Sequence, residues 1–227
     1  MEVEETGDVK EGGEGIPRAL GDLEFLTQDA DLGGTTLVYA HNRFNKLSRL
    51  EMMWTVRHRW PAAARFAFNC YKHWAQLLLR HPGEPPVTIL SQEGVNQGYP
   101  LSVVLYGITL VPLAKELIVA DPGILSHFYA DDAAFEGLAR QSAQLLKLLM
   151  KRSPDRGYFL EADKSLFISN TPGQEEATKR KFMVESLTLN LVSESIYLGT
   201  YLGPQKELKA WVTPQVEAWD HGVRVLG

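Results

Sequence analysis

The chain has 227 residues, 44% of them hydrophobic, and a formal net charge of −5. That apolar content supports a packed core and excludes a wholly disordered chain. Cys70 is the only cysteine, which excludes an intrachain disulfide and favours a reducing, intracellular setting, nuclear or cytoplasmic.

The charge is unevenly spread. Residues 1–31 carry ten acidic and two basic side chains, a net −8. Residues 41–90 carry eight Lys/Arg against Glu51 and Glu84, a net +6, with four of the six histidines. A basic stretch of this kind can offset phosphate repulsion, and it can equally be a solvated helical surface. The acidic start is unlike a signal peptide. The most apolar run, Val103 to Ala114, is short and holds Gly107 and Pro112, so no membrane span is expected.

In chain order, residues 1–31 read as an acidic, disordered tail and 32–227 as one domain. Gly33-Gly34 reads as a breaker, and Thr35 to Ala40 as a short buried strand. A helix is predicted over Asn45 to Trp60, with Leu47, Leu50 and Trp54 on one face. Pro61 restarts a helix in which Phe66, Cys70, Trp74 and Leu77/Leu78 form a core stripe. Pro85-Pro86 breaks the chain before a strand at Val87 to Leu90. Leu101 to Val119 reads as an apolar helix ended by Asp121-Pro122-Gly123.

Leu125 to Ala130, Asp131-Asp132 and Ala133 to Glu136 read as strand, tight turn, strand. Leu138 to Lys151 follows as an amphipathic helix. Strands are predicted at Lys164 to Ser169 and Ile196 to Leu202, and a helix over residues 213–226. The alternation predicts an α+β fold of the split βαβ kind, an antiparallel sheet with helices on one face.

Asp131 and Asp132 are adjacent carboxylates after an apolar, aromatic run. A sheet core does not accept such a pair, whereas a hairpin turn projects it from the sheet end. There it forms a hard-oxygen site suited to Mg²⁺, although Asp is also an ordinary turn former. About thirty residues upstream, Gly94 to Ser102 forms a glycine-rich turn with Pro100 opening a helix. Gln97 there carries both donor and acceptor groups.

The run GVNQGYPLSVVLYGITLVPL followed by FYADD resembles reverse-transcriptase motifs B and C. Gly157-Tyr158-Phe159 with Lys164 to Phe167 resembles motif D, and Tyr197 to Gly203 resembles motif E. The QG-x-PLS and Y-A-D-D forms are similar to enzymes of non-LTR retrotransposons and group II introns. The resemblance implies a polymerase palm and RNA-directed DNA polymerase activity by two-metal nucleotidyl transfer, with Mg²⁺, or Mn²⁺ in its place, at Asp131 and Asp132. It also implies an RNA template, a DNA primer and deoxynucleoside triphosphates as partners, and no membrane.

By the same resemblance, Phe44, Gln97, Gly98 and Pro100 would contact nucleotide or template. Lys164 would lie near the triphosphate as a catalytic acid. Tyr197, Leu198 and Gly199 would grip the primer. With about 35 residues before the motif A strand and about 24 after motif E, fingers and thumb are expected to be largely missing.

One position departs from the family. Motif A should end a strand with an aspartate five residues before an aromatic, and five residues before Phe44 stands Tyr39. A phenol with an ordinary pKa of about 10 is neutral at pH 7 and cannot replace a carboxylate ligand. Asp31 is eight residues upstream of Tyr39, roughly 25 Å along an extended chain. The expectation is therefore a polymerase-family domain with reduced metal affinity and no activity; the alternative is a non-catalytic retroelement remnant with weak nucleic-acid binding. An acidic pair after a strand also suits a phosphoacceptor domain, but the repeated βα units of such a fold are missing.

Overall fold

The computed structural model describes residues 32–41, 43–129, 132–170 and 173–226. The expected acidic tail, 1–31, lies outside them, as do Ala130 and Asp131. The described chain opens on strand β1 (Gly33–Tyr39). Three helices follow: α1 (Arg43–Lys46), α2 (Arg49–Arg59) and α3 (Pro61–Tyr71). A hairpin of β2 (Ala75–Leu79) and β3 (Val87–Ser91) leads to the long helix α4 (Pro100–Ala120). Next come β4 (Leu125–Tyr129), β5 (Asp132–Leu138) and α5 (Ala139–Arg152). Then β6 (Leu166–Ser169), α6 (Glu175–Val184) and β7 (Asn190–Val192) complete the sheet. A small hairpin, β8 (Ser195–Tyr197) with β9 (Thr200–Leu202), precedes α7 (Gln205–Leu226).

The main sheet has the order β4-β5-β1-β6-β7, antiparallel except for the parallel β6–β7 pair. Side chains alternate between its faces. Val38, Ala133, Phe135 and Phe167 join Met52, Val56, Leu113, Leu146 and Phe182 of the helices in the main core. Leu37, Ala134 and Ile168 face the other way and are covered by Tyr197 and Leu202. The α+β fold with helices on one face is thus present. The β8–β9 hairpin caps the second face.

Several local expectations are corrected. Gly33-Gly34 is not a breaker but the start of β1. A Cβ on Gly34 would lie 2.3 Å from the Ile168 carbonyl and 2.4 Å from the Phe167 ring, so glycine lets β6 close on β1. Leu47, Leu50 and Trp54 do not share a buried face, because the helix is broken at Ser48. The Ser48 hydroxyl accepts the Glu51 amide at 3.3 Å and starts α2 afresh. That shift of phase buries Met52 and Val56 and exposes Leu50 and Trp54.

The stripe through Phe66, Cys70, Trp74 and Leu77/Leu78 is not a helical core either. The helix stops at Tyr71, Ala75–Leu79 is a strand, and all five side chains are exposed. Cross-strand pairs Leu77↔Ile89 and Leu79↔Val87 account for the strand. Ile196 to Leu202 is a hairpin rather than one strand. Helix α6 and strand β7 were not foreseen.

Helix α4 is also longer than expected. At 21 residues, with a mean hydropathy of 1.8 over its best window, it satisfies the length and composition of a membrane span. In the fold Leu105, Tyr106, Leu110, Leu113 and Leu117 are packed in the main core, while Val103, Val104, Ile118 and Val119 of the same helix are exposed.

Arg49 ties the helices to the loop ahead of α4. Only 6% exposed, its Nε donates to the Gly94 carbonyl at 2.8 Å, and its guanidinium nitrogens donate to the Ser91 carbonyl at 2.8 Å and Ser91 Oγ at 3.0 Å. Its plane lies over the Tyr71 ring, 5.5 Å from the centroid. Arg49→Ala should cost about 3 kcal/mol in urea unfolding, since the carbonyls it satisfies are left behind. Arg49→Lys should recover little, because an ammonium lacks the planar fork.

Candidate functional site

Strands β1 and β5 run antiparallel and end together, with Tyr39 opposite Asp132. The alternation that puts Leu37 and Ala134 on the hairpin-covered face puts Tyr39 and Asp132 on that face too. Strand β4 adds Tyr129, also opposite Asp132. The β8–β9 hairpin brings Tyr197 beneath them: its ring meets Tyr39 edge to face at 6.4 Å and 77°. Tyr39, Asp132 and Tyr197 therefore form one group at the sheet end. Asp131, the other expected metal ligand, lies outside the described residues.

The electrostatics of this group are those of neutral phenols around a carboxylate. Burial first, and then the charge of Asp132, raises the Tyr39 phenol above its ordinary range. Burial raises Tyr197 strongly, with Asp132 and Tyr39 adding to it. Both stay protonated at neutral pH, and neither offers a negative oxygen to a cation. Among the described residues no group of three or more His, Cys, Asp or Glu is placed to hold a metal. The described donors do not fit a pair of divalent ions.

Tyr197 is 2% exposed, and its hydroxyl has no hydrogen-bond partner among the described residues. Leaving such a group dry costs about 1–3 kcal/mol. Tyr197→Phe should therefore raise the midpoint of thermal unfolding by a few degrees, about 1 kcal/mol in stability. A fall instead would mean that the hydroxyl is hydrogen-bonded in solution.

The loop after the short 3-10 turn Pro154–Arg156 is zipped to the end of β1. The Tyr39 amide donates to Ser165 Oγ at 3.2 Å, and that hydroxyl donates to the Glu161 carbonyl at 2.8 Å. The Glu161 amide returns a bond to the Tyr39 carbonyl at 2.8 Å. Ser165, fully buried, was not foreseen as a site residue, although it adjoins Lys164. The Lys164 side chain is 66% exposed, and its ammonium pairs with the Glu161 carboxylate at 3.1 Å, which His41 approaches from the other side at 3.7 Å. His41, Lys46, Phe159, Leu160, Glu161 and Ala162 line an open cleft of about 430 Å³ there.

The remaining predicted residues are more dispersed. The Phe44 ring tilts against Tyr106 of α4 at 4.9 Å and joins the helix-layer core, on the opposite side of the sheet from the Tyr39 ring. Gln97 and Gly98 are exposed, and Gly98 has φ +81 with open space where a Cβ would stand. Pro100 opens α4. Leu198 and Gly199 form the exposed tip of the β8–β9 hairpin, both with positive φ, while Tyr197 points inward. A half-buried pair was also missed: Glu136, fully enclosed in β5, has a carboxylate oxygen 3.4 Å from Nε2 of the partly exposed His127. Burial lowers the His127 pKa, against the raising expected from the carboxylate, so burial prevails.

Residues 51–227 match the family profile described as reverse transcriptase (RNA-dependent DNA polymerase). No curated protein matches the sequence significantly. Among solved structures, apo telomerase from Candida tropicalis truncated from its C-terminal domain aligns at TM-score 0.58 and 13% identity, covering 86% of this chain and 38% of that one. Apo telomerase from the same organism gives 0.58 and 12%, covering 86% and 35%. Telomerase from Candida tropicalis in complex with a TWJ fragment of telomeric RNA gives 0.57 and 13%, covering 73% and 30%. At these identities the likeness is one of fold, a partial polymerase palm. The chain spans about a third of the length of these solved relatives.

Proposed function

The chain belongs to the reverse transcriptase (RNA-dependent DNA polymerase) family, and we propose that it is a palm whose polymerase chemistry is impaired at Tyr39. The observation that carries this reading is the register Tyr39↔Asp132. The strand position facing Asp132, where the motif A carboxylate is expected, holds a neutral, half-buried phenol. When bound, divalent ions would supply positive charge to activate a 3′-hydroxyl and stabilise the leaving pyrophosphate. The residues described around Asp132 are a poor match for two such ions, so weak Mg²⁺ and Mn²⁺ binding is expected.

The forms Gln97-Gly98-Tyr99-Pro100-Leu101-Ser102 and Tyr129-Ala130-Asp131-Asp132 support an origin of the non-LTR retrotransposon or group II intron type. In that reading RNA is the template, as the family description, RNA-dependent DNA polymerase, supports, and a DNA primer and deoxynucleoside triphosphates are the other partners. Gln97, Gly98 and Pro100 contact template or nucleotide, Phe44 supports α4 beneath them, Lys164 faces the triphosphate once released from Glu161, and the Tyr197 to Gly199 turn holds the primer.

The test is primer extension on an RNA template with Mg²⁺ or Mn²⁺. The expected result is none, for the unaltered chain and for Asp131→Asn alike. Extension that disappears in Asp131→Asn would show a working polymerase and overturn the reading. The alternative, a remnant that only binds nucleic acid weakly, is favoured by the exposed cations Arg57 and Arg59 of α2, Arg65 of α3, and Lys72 and Arg80 on either side of β2. It predicts salt-sensitive RNA binding without extension.

A further inference from the structure

The β2–β3 hairpin stands in water on both sides. Leu77, Leu78 and Leu79 of β2 and Val87, Ile89 and Leu90 of β3 are all exposed. Among the described residues β2 and β3 pair only with each other. Each strand therefore has an outer edge of backbone N–H and C=O groups outside any ladder. A two-stranded sheet of this kind is marginal by itself.

The two edges differ. Strand β3 follows Pro85-Pro86, and at its other end Arg49 donates to the Ser91 carbonyl at 2.8 Å and to Ser91 Oγ at 3.0 Å. Strand β2 reads Ala75-Gln76-Leu77-Leu78-Leu79 and pairs with β3 in unbroken register. It holds no charge, proline or bulge, the devices that keep an edge strand from pairing. What such an edge recognises, through its backbone, is another extended chain.

We propose that β2 pairs antiparallel with β2 of a second copy, across a two-fold axis at Leu77, joining the hairpins into one four-stranded sheet. In that register the strand is complementary to itself. Leu77 lies opposite Leu77 of the second copy, Ala75 opposite Leu79, and Gln76 opposite Leu78. One residue beyond the strand ends, Trp74 lies opposite Arg80, and both are exposed. A guanidinium over an indole face is attractive.

The same register carries the tip of one hairpin to the base of the other. There Lys72, His73, Trp74, Gln76 and Leu90 line an open concavity of about 430 Å³, which receives Arg80 of the second copy beside Trp74. The Lys72 ammonium is drawn aside to the Phe68 ring of α3, 5.6 Å from its centroid. Over residues 72–93, Lys72 and Arg80 balance Glu84 and Glu93, so two copies meet without net repulsion. The pairing concerns this hairpin alone and does not depend on the state of the Tyr39 site.

A five-residue strand pair is a small interface, so the dissociation constant should exceed about 1 µM. In sedimentation equilibrium of the full chain, the mass should rise with concentration from 25.4 kDa to twice that value and level off there. Leu77→Lys sets two ammonium groups opposite each other at a site already 54% exposed. It should keep the unfolding midpoint and remain monomeric throughout. In a Cys70→Ser background, Leu77→Cys should form an interchain disulfide under mild oxidation, since opposed Cα atoms lie about 4.5–5.5 Å apart. Ala75→Cys should not, because its two copies are separated by more than about 10 Å. A mass that stays monomeric at every concentration would overturn the proposal. So would a dimer that persists in Leu77→Lys, or one that links equally well through Ala75→Cys. A mass that keeps growing past the dimer would indicate β2 pairing with β3 of the next copy in an open chain, and would overturn it as well.

Discussion

Tyr39→Asp is expected to bind Mn²⁺ at least about tenfold more tightly than the unaltered chain, measured by calorimetry with primer and nucleotide present. The gain follows from charge placed where the fold already brings two strands together. Tyr39 and Asp132 are register partners with side chains on one face, so an aspartate at position 39 gives a cation a second hard oxygen ligand. Without metal, the two carboxylates repel, and one of them resists ionisation. That carboxyl binds its proton more readily folded than unfolded. The metal-free variant should therefore be best preserved below about pH 4 and lose stability as pH rises from there towards neutrality.

Metal reverses the loss: at a hundredfold excess over Kd it returns about 2.7 kcal/mol, visible as a metal-dependent rise in unfolding temperature. Tyr39→Asn separates charge from space. It opens the same volume beside Tyr197 but adds no charge, and should gain neither metal affinity nor metal-dependent stability. Should Tyr39→Asn gain as much as Tyr39→Asp, the phenol's bulk rather than its neutrality is the obstacle. Should the unaltered chain already bind two ions tightly, the impairment reading fails.

How far the sequence exposes this arrangement depends on the kind of signal each part carries. Strand β1, helix α4 and the β4–β5 hairpin are visible because their apolar runs are long and bounded by Gly, Pro or Asp. The juxtaposition of Tyr39 with Asp132 follows from motif order, and the β1–β5 register agrees with it. The β2 strand is hidden because three consecutive leucines fit a helix or a strand equally well; only pairing with β3 decides, and that is a tertiary fact.

Helix α6 is hidden because it buries only Thr178 and Phe182 beneath a charged sequence. The inward turn of Tyr197 depends on Leu198 taking φ +48, a conformation a leucine does not advertise. Arg49 is buried against expectation for its type, since its partners Ser91 and Gly94 lie more than forty residues along the chain. Local pattern thus identifies the sheet end, while the residues that brace it are set by contacts between distant segments.

Gly157→Ala is expected to cost at least about 3 kcal/mol, against about 1 kcal/mol for Gly98→Ala, and the comparison separates two causes. Both glycines have left-handed backbones, φ +75 and φ +81. An L-residue in that conformation costs about 1–2 kcal/mol at either place. At Gly98 nothing lies within 4 Å of where a Cβ would stand, so only that cost applies. At Gly157 the Cβ would be 1.7 Å from the Lys46 carbonyl oxygen and 2.8 Å from the Ser48 amide nitrogen. Those are backbone atoms of the α1–α2 junction, which is itself held by the Ser48 amide donating to the Arg156 carbonyl at 3.0 Å.

An alanine at 157 must therefore push the loop that carries Tyr158 off the helices, and Tyr158 is part of the main core. For a chain of this size each kcal/mol moves the unfolding midpoint by about 2–4 °C. Gly98→Ala should then fall by a few degrees and Gly157→Ala by roughly ten. Equal shifts would mean that the loop after α5 is not seated on α1 in solution. A loss of RNA binding in Gly98→Ala beyond its small thermal cost would instead indicate that the open space above Gly98 is where a bound strand approaches the backbone.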